Sequence, residues 1–451
     1  MSHPRPGTRR MARRTATRKL FTTACALTRT TELAASRLGT EYFLPALFVD
    51  RVTHLGGIDK RTFTEQLADC RSFRDGAWAG HWQGIAAEHA SVADAALTRL
   101  GGPLVEQMLD PAGRVDTAAL GDLLAPAVSI LADRGAVASP GAVAKFCRES
   151  RGIGDGAAIA VDALIKVITY KFAAAWPGWT PQRLRAHAES RRLCDVVTEA
   201  LAPAMGLSIE HLRIPVPGGD VVEGAAMFPL GAQNSPIVLW AKGLEGTVPE
   251  SLLPALRYRT YGLAMFIMEM PGTYSYRQPL TVGAENVYRT VIDRLAVDGR
   301  VDADRIGMLG TSFGAYWAAR MAAVDPRLHA VVANGAPSDR TLRPSGAFGT
   351  PEIMMWTMAN TTHASSTVDL AKKLRALSLK DRYPRITAPL LVINGDTDTL
   401  ASTQDSIDIA TYAPNALLKL YPGDDHCAMG HADQWWDLSI RFLADHLRAA
   451  Y

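Results

Sequence analysis

The residue of this chain with the clearest chemical potential is a serine in a glycine-bounded turn. Residues 305–314 read RIGMLGTSFG, which predicts an apolar strand that ends in a tight turn with Ser312 at its apex. A sharp turn from strand to helix leaves no room for side chains two residues before and after the serine, and Gly310 and Gly314 occupy those positions. An alanine-rich stretch follows at 315–323 and predicts a helix that packs closely on a sheet. The pattern therefore predicts Ser312 as the nucleophile of a nucleophile elbow.

A nucleophilic serine needs a base, and the base needs an acid to orient it; on open α/β sheets these follow in the order serine, acid, histidine. Asp396 and Asp398 lie in the polar turn just past the buried-strand signal PLLVING. His426 lies just past a second strand signal, LLKLY. The loops at the carboxyl ends of the strands converge in such a sheet. We therefore assign His426 as the general base and one of the two aspartates as its orienting acid. His431 is the rival histidine, which we expect at the start of the last helix in a structural or wall position.

The reaction also needs donors for the oxyanion of a tetrahedral intermediate, each worth about 2.7 to 4 kcal/mol. One donor is expected to be the amide of Phe313, directly after the nucleophile. The second is expected from the loop that follows an early strand. Residues 236–240 (PIVLW) form that strand signal and residues 241–246 form the loop. The sequence therefore predicts the amide of Leu244 as the second donor.

The elements that must position these residues make up a two-part α/β chain. Between residues 30 and 210 the apolar residues recur at three- and four-residue spacing, which indicates helices, and strand patterns begin only near residue 209. We predict a basic, disordered tail at 1–28, an all-helical N-terminal lid domain at 29–205 and a catalytic domain at 206–451. Within the latter, residues 337–388 lose the strand rhythm, which predicts an irregular helical insertion near the pocket.

Four segments of the chain together resemble those of α/β-hydrolases with a helical N-terminal domain. That family includes 2,6-dihydroxypseudooxynicotine hydrolase, the pigment-pathway hydrolases that shorten polyketide chains, and the esterase-like fermentation/respiration switch proteins. The resemblance covers the chain from about residue 140 to its end. The segments are KGLEG at 242–246, MEMPG at 268–272, RIGMLGTSFG at 305–314 and GDDHC at 423–427.

The resemblance implies an α/β-hydrolase fold, a mostly parallel sheet flanked by helices, and a triad of Ser312, Asp398 and His426. It favours Asp398 over Asp396 by family spacing, and it implies Glu245 as a carboxylate close to the reacting group. The chain departs from the family at Lys242, where a Gly-Gly pair is usual. A lysine there is expected either to tune the oxyanion region or to point to solvent, the commoner arrangement.

Taken together, these features predict a serine hydrolase with a covalent acyl-enzyme mechanism. An alcohol leaving group makes the reaction ester hydrolysis, and a stabilised carbanion, as from a 1,3-dicarbonyl or polyketide-like substrate, makes it carbon-carbon bond hydrolysis. An acyltransferase uses identical residues. A non-catalytic binding or regulatory protein on the same fold is the alternative from a different class, against which an intact triad counts.

The amino-acid composition is typical of a globular enzyme that acts on small molecules. Of the 451 residues, 48% are hydrophobic and 21% are charged, ordinary values for such a protein. The five cysteines are scattered without a C-x-x-C pair, which argues against a disulfide framework or a zinc site. We expect a small-molecule substrate, no metal, no cofactor and no nucleic acid, and a homodimer is a possible assembly.

The charge of the chain is unevenly distributed. The first nineteen residues carry seven basic residues and no acidic one, so the formal net charge of +3 leaves a mildly acidic remainder of −4. Such a tail suits an anionic surface, a twin-arginine export signal or a disordered start upstream of an initiator at Met11. The apolar run at 20–27 is short for a signal, and no stretch reaches a membrane span. We therefore expect a cytoplasmic protein, with export as the alternative.

Overall fold

A computed structural model describes residues 6–134, 140–152 and 154–448. In this part of the chain, eight strands form one sheet. The strands are β1 (Leu207–Pro215), β2 (Val221–Pro229), β3 (Ser235–Ala241), β4 (Ala264–Met268), β5 (Val301–Thr311), β6 (Leu328–Asn334), β7 (Leu390–Gly395) and β8 (Ala416–Tyr421).

The sheet is mostly parallel and has the strand order β1-β2-β4-β3-β5-β6-β7-β8. Only β2 runs against its two neighbours, β1 and β4, and the other adjacent pairs are parallel. Every residue of the central strand β3 is buried, as is typical of a parallel strand covered by helices on both faces. The carboxyl ends of β3, β5, β6, β7 and β8 therefore lie along one edge of the sheet.

Helices precede the sheet, flank it and connect its strands. They are α1 (Pro6–Thr28), α2 (Thr31–Leu38), α3 (Ala46–Gly56), α4 (Lys60–Asp69), α5 (Asp75–Leu100), α6 (Val105–Leu109), α7 (Thr117–Leu124), α8 (Val128–Ala132), α9 (Ala142–Ser150), α10 (Asp155–Ala175), α11 (Pro181–Leu201), α12 (Val248–Ala255), α13 (Glu285–Ala296), α14 (Phe313–Ala322), α15 (Glu352–Thr361), α16 (Thr367–Ala376), α17 (Thr403–Tyr412) and α18 (Ala432–Arg448).

Alternate residues of β3 divide the hydrophobic core between the two faces of the sheet. Val238 and Trp240 pack with the N-terminal helices and α18. Ile237 and Leu239 pack with α13 and α14 on the opposite face. This period of two is what a pleated strand imposes on its side chains.

The tail differs from the sequence-based expectation. Residues 1–5 lie outside the described part of the chain, and residues 6–28 form helix α1 rather than a disordered segment. The guanidinium of Arg18 donates to the backbone oxygens of Tyr42, at 2.9 Å, and Leu44, at 2.7 Å, and the amide of Gly349 donates to Thr23 Oγ1 at 2.9 Å. Cys25 is buried in the core. These contacts with residues far along the chain supply stabilisation that the local sequence does not reveal.

A second difference concerns the helical periodicity between residues 118 and 133. The structure divides this stretch into α7 and α8, with a short 3₁₀ turn at 125–127 between them. Pro126 lies in that turn, where its missing N–H and its ring prevent a continuous α-helix. The segment between β6 and β7 contains α15, α16 and short 3₁₀ turns, with no strand between residues 335 and 389.

None of the helices in the described ranges combines the length and the apolar composition that crossing a bilayer requires.

Candidate active site

Ser312 lies in the tight turn between β5 and α14, with φ +56° and ψ −124°. This left-handed conformation is costly for a residue with a side chain and is typical of a strained functional turn. A Cβ atom at Gly310 would lie 2.1 Å from the backbone oxygen of Gly314, and one at Gly314 would lie 2.1 Å from the backbone oxygen of Ala241. The turn thus requires glycine at both positions for the steric reason that the sequence suggests.

The structure brings Ser312, His426 and Asp398 together in a hydrogen-bonded line. His426 Nε2 lies 2.8 Å from Ser312 Oγ, and His426 Nδ1 lies 2.8 Å from Asp398 Oδ2. The side chains of His426 and Asp398 are 3% and 0% exposed. The other oxygen of Asp398 accepts from the amides of Leu400, at 2.8 Å, and Ala401, at 2.7 Å. The carboxylate is therefore held by its own loop in the position that orients the imidazole.

The two rival residues lie elsewhere. Asp396 Oδ1 accepts from the amide of Gly423 at 2.7 Å and makes no contact with the imidazole of His426. His431 pairs with Asp424, 2.7 Å away, and its ring packs on Tyr421. Of the two aspartates and two histidines, Asp398 and His426 are the ones that lie in hydrogen-bonding distance of each other and, through the imidazole, of Ser312.

Two asparagines that the sequence analysis did not single out connect the three loops. Asn334, the last residue of β6, accepts from the amide of Ser312 at 2.7 Å through its backbone oxygen, and its side-chain amide donates to the backbone oxygen of Cys427 at 3.0 Å. Asn394 in β7 donates to Asp398 Oδ2 at 2.9 Å and accepts from the amide of Cys427 at 3.0 Å. In the sequence, an asparagine near the end of an otherwise apolar strand pattern is the signal that could have marked both residues.

The electrostatics of the pair favour an ionised aspartate and a basic imidazole. Burial opposes the ionised form of Asp398, but the neighbouring His426 and the hydrogen bonds from Ala401 and Asn394 hold its pKa below the usual value. Burial also opposes the charged form of His426, but Asp398 outweighs it and raises the pKa of the imidazole above its ordinary value. A base of this kind removes a proton effectively once it is neutral.

The expected oxyanion donors lie on the two segments that meet at Ser312. Phe313 is the first residue of α14, so its amide has no acceptor within the helix. The loop after β3 packs against the elbow, since a Cβ atom at Gly243 would lie 2.7 Å from Ser312 Cβ and 3.2 Å from the amide nitrogen of Phe313. In this loop the amide of Gly246 donates to Gly243, and among the described residues no acceptor occupies the amide of Leu244. Both amides are available to a ligand.

Lys242 does not point to solvent, contrary to the commoner expectation for a lysine. Its side chain is 9% exposed, lines the cavity above Ser312 and lies 3.5 Å, measured from Nζ, from Glu250 Oε2. Burial lowers the pKa of the ammonium, while the adjacent Glu250 opposes this shift. The loop packs on the elbow, and Glu250 of α12 provides the partner for the inward-pointing ammonium.

Glu245 lies apart from the cavity. Its carboxylate is 1% exposed, and Oε2 accepts from the amide of Gly178 at 2.6 Å, in the turn between α10 and α11. Burial raises the pKa of this carboxyl to about 7, an effect that the Gly178 hydrogen bond opposes. The residue has φ +57°, and its side chain contacts the N-terminal helical part of the chain at Gly178. The structure therefore places this carboxylate against the turn between α10 and α11 and not in the lining of the cavity.

A cavity of about 430 Å³ opens above Ser312 and His426. One face of α3 supplies part of its wall, and α15 and α16 of the segment between β6 and β7 supply another part. The wall is mainly apolar and includes Phe48, Trp176, Trp240, Met354, Met358, Leu370, Leu374, Trp435 and Trp436. A pocket of this size and lining suits a small or medium organic molecule.

In the described ranges, no group of three or more histidine, cysteine or acidic side chains is placed to hold a metal ion.

A mostly parallel sheet with a serine elbow after β5, an acid after β7 and a histidine after β8 is the arrangement of an α/β-hydrolase. Comparison with known proteins agrees. Residues 148–431, more than half of the chain, match the family model described as "Esterase FrsA-like". The chain therefore belongs to the FrsA-like esterase family.

A curated relative is Esterase FrsA of Salmonella paratyphi B, which is 29% identical over 213 residues. The match covers 46% of this chain and 51% of the relative, so the chain spans about half the length of the curated relatives it matches.

Two solved structures share the fold over most of the chain. The 2,6-dihydroxy-pseudo-oxynicotine hydrolase superposes with a TM-score of 0.57 and 19% identity, covering 79% of this chain and 96% of its own. AbyA5 superposes with a TM-score of 0.55 and 19% identity, covering 76% of this chain and 95% of its own. Both alignments confirm the α/β-hydrolase fold that the sequence predicted.

Proposed function

We propose that this protein is a serine carboxylic-ester hydrolase that acts through a covalent acyl-enzyme on a small or medium organic substrate. The observation that carries the proposal is the line of two 2.8 Å contacts from Ser312 Oγ through the imidazole of His426 to Asp398. That line lies at the floor of a cavity large enough for such a substrate. Membership of an esterase family supports the same reaction.

In the first half of the proposed reaction, His426 Nε2 takes the proton of Ser312 as Oγ attacks the ester carbonyl carbon. The amides of Phe313 and Leu244 donate to the oxyanion that forms. The imidazolium then gives its proton to the departing alkoxide, and the bond between the carbonyl carbon and the alcohol oxygen breaks. The products of this half are the free alcohol and an acyl-serine.

In the second half, His426 takes a proton from water as the water oxygen attacks the acyl-serine. The imidazolium returns a proton to Ser312 Oγ, the carboxylic acid leaves, and the free enzyme is restored. Asp398 stabilises the imidazolium in both halves by keeping Nδ1 protonated.

Ester hydrolysis is favoured over cleavage of a carbon-carbon bond by the position of Glu245. A second acid close to the reacting group would help to deliver a proton to a carbanion leaving group, and Glu245 was expected close to that group. Its carboxylate contacts Gly178 and does not line the cavity. His426, which lies 2.8 Å from Ser312 Oγ, then serves as the proton donor to the leaving group, and this is sufficient for an alkoxide.

The test is labelling with a fluorophosphonate probe, followed by turnover of 4-nitrophenyl acyl esters of increasing chain length. We expect the wild type to be labelled and to hydrolyse the esters, and Ser312→Ala to do neither. Ser36→Ala, at an exposed serine of α2, is the matched control and should behave as the wild type. Absence of labelling in the wild type, or equal labelling of Ser312→Ala, contradicts the proposal.

A further inference from the structure

A buried cluster of three charged side chains forms one wall of the cavity. Arg51 on α3 makes a two-pronged contact with Glu250 on α12, with Nε to Oε1 at 2.7 Å and Nη2 to Oε2 at 2.9 Å. Lys242 Nζ lies 3.5 Å from the same Oε2. The three side chains are 11%, 10% and 9% exposed. Two cations thus share one carboxylate in a largely desolvated position.

The surplus positive charge is not cancelled elsewhere in the wall. Among the described residues that line the cavity, Glu250 is the sole carboxylate, whereas Arg51, Lys242 and Arg343 are cationic. Arg343 shares Asp339, outside the lining, with Arg375, and its side chain is 40% exposed, so solvent screens its charge. The Arg51–Glu250 pair is neutral, so the ammonium of Lys242 supplies the remaining charge.

Arg51, Lys242, Glu250 and His54 all line the cavity, so a ligand in it meets this cluster. Nη2 of Arg51 also donates to the backbone oxygen of Glu245 at 3.0 Å, so the guanidinium is held in place by two elements. His54, one turn further along α3, lines the same cavity and has its Nδ1 atom buried without a hydrogen-bond partner. An unpaired polar nitrogen and a surplus cation in an apolar cavity are costly unless a ligand pairs with them.

The cluster is close to the reacting centre because Lys242 belongs to the loop that packs on the elbow. A Cβ atom at Gly314 would lie 2.7 Å from the backbone oxygen of Lys242, and the next residue, Gly243, meets Ser312 itself. The backbone of Lys242 therefore packs on the serine turn, and its ammonium is separated from that turn by no more than the length of its own side chain.

We propose that the substrate is an ester that also carries a free carboxylate, and that Lys242 and Arg51 bind this carboxylate while Ser312 attacks the ester. This rests on the proposed function and specifies the substrate class of the same site. A monoanion matches the single surplus charge, whereas a phosphate dianion exceeds it. The apolar remainder of the wall accommodates the hydrocarbon part of the molecule.

The experiment compares matched pairs of substrates that differ in one charge. The first pair is mono-4-nitrophenyl adipate and its methyl-capped diester, with the carboxylate on the acyl side. The second pair is 3-carboxyphenyl butyrate and its methyl ester, with the carboxylate on the leaving group. We expect the wild type to favour the charged member of at least one pair by about 10-fold or more in kcat/KM, the scale of one charge-assisted hydrogen bond.

Variants then assign the preference to the cluster. Lys242→Met should reduce the ratio of charged to neutral turnover by about 10-fold, mainly through KM, and Lys242→Arg should retain most of it. Lys145→Met is the matched control, because Lys145 also pairs with a glutamate, Glu149, but with 69% of its side chain exposed. Its ratio should equal that of the wild type.

The outcomes separate the two proposals. Turnover of both pairs without a preference for the charged member, or an unchanged ratio in Lys242→Met, overturns the carboxylate proposal and leaves the hydrolase intact. Failure to turn over any ester, together with absent fluorophosphonate labelling, overturns the hydrolase itself. The wild-type ratio requires no variant, so it decides the first question even if Lys242→Met does not fold.

Discussion

Glu245 offers the sharpest test of the structure because its carboxyl is buried with one oxygen unpaired. Oε2 accepts from Gly178, while Oε1 is buried with no hydrogen-bond partner. Replacing Glu245 by glutamine keeps the shape and the acceptor for Gly178, and it removes the ionisation. We expect Glu245→Gln to be more stable than the wild type at alkaline pH and about as stable at acid pH.

The magnitude follows from the pKa of the group, which burial raises to about 7 from an ordinary value near 4.5. A carboxyl with a raised pKa in the folded state is most favourable when protonated. Its contribution is therefore fully present below about pH 4.5 and is lost as the pH rises through about 7. One pKa unit corresponds to about 1.4 kcal/mol, so the wild type should lose about 2 to 3 kcal/mol relative to the variant between pH 5 and pH 8.

The assay is urea unfolding of both proteins across that pH range. The difference in free energy of unfolding at each pH cancels the titrating groups that do not interact with Glu245. Glu65→Gln, at a carboxylate that is 64% exposed, is the control and should show a flat difference. A difference between wild type and Glu245→Gln that stays constant from pH 5 to pH 8 refutes the reasoning.

Two further predictions concern the serine site. Asp398→Asn should lower kcat/KM by about 10⁴-fold through the wrong imidazole tautomer. Activity needs the neutral base, and Asp398 raises the pKa of that base. The activity of the wild type should therefore increase with pH only above about 6.5, and the residual activity of the variant should increase at lower pH. Asp396→Asn should change neither kcat/KM nor the pH profile, and an equal loss of activity there would reverse the assignment. Gly243→Ala should lower kcat by about 10² to 10³-fold, because its Cβ atom would lie 2.7 Å from the nucleophile's Cβ and displace the oxyanion loop. Gly84→Ala, in a helix with open space around it, is the control, and comparable kcat values in the two glycine variants would contradict the steric argument.

Much of the local structure around the site could be predicted because it depends on short-range rules. A strand that enters a tight turn at Ser312 needs Gly310 and Gly314 for clearance, and this requirement is written within five residues. The two strand signals before Asp398 and His426 likewise depend on local apolar runs. The sequence did not predict elements that are stabilised by residues far along the chain. Helix α1 is an example, because Arg18 and Thr23 form hydrogen bonds with the backbone of residues 42 and 349.

By itself, then, the sequence determined the class of fold, the strand-turn-helix at Ser312 and the order in which an acid and a histidine follow it. Only the tertiary structure decided which aspartate faces the imidazole, since Asp396 and Asp398 share one loop and differ in the direction of their side chains. It also decided the fates of Lys242 and Glu245. These neighbours on one loop point to opposite sides, because Lys242 meets Glu250 in the cavity wall while Glu245, at positive φ, meets Gly178 of the N-terminal helices. Such choices depend on partners many residues away, which no local pattern encodes.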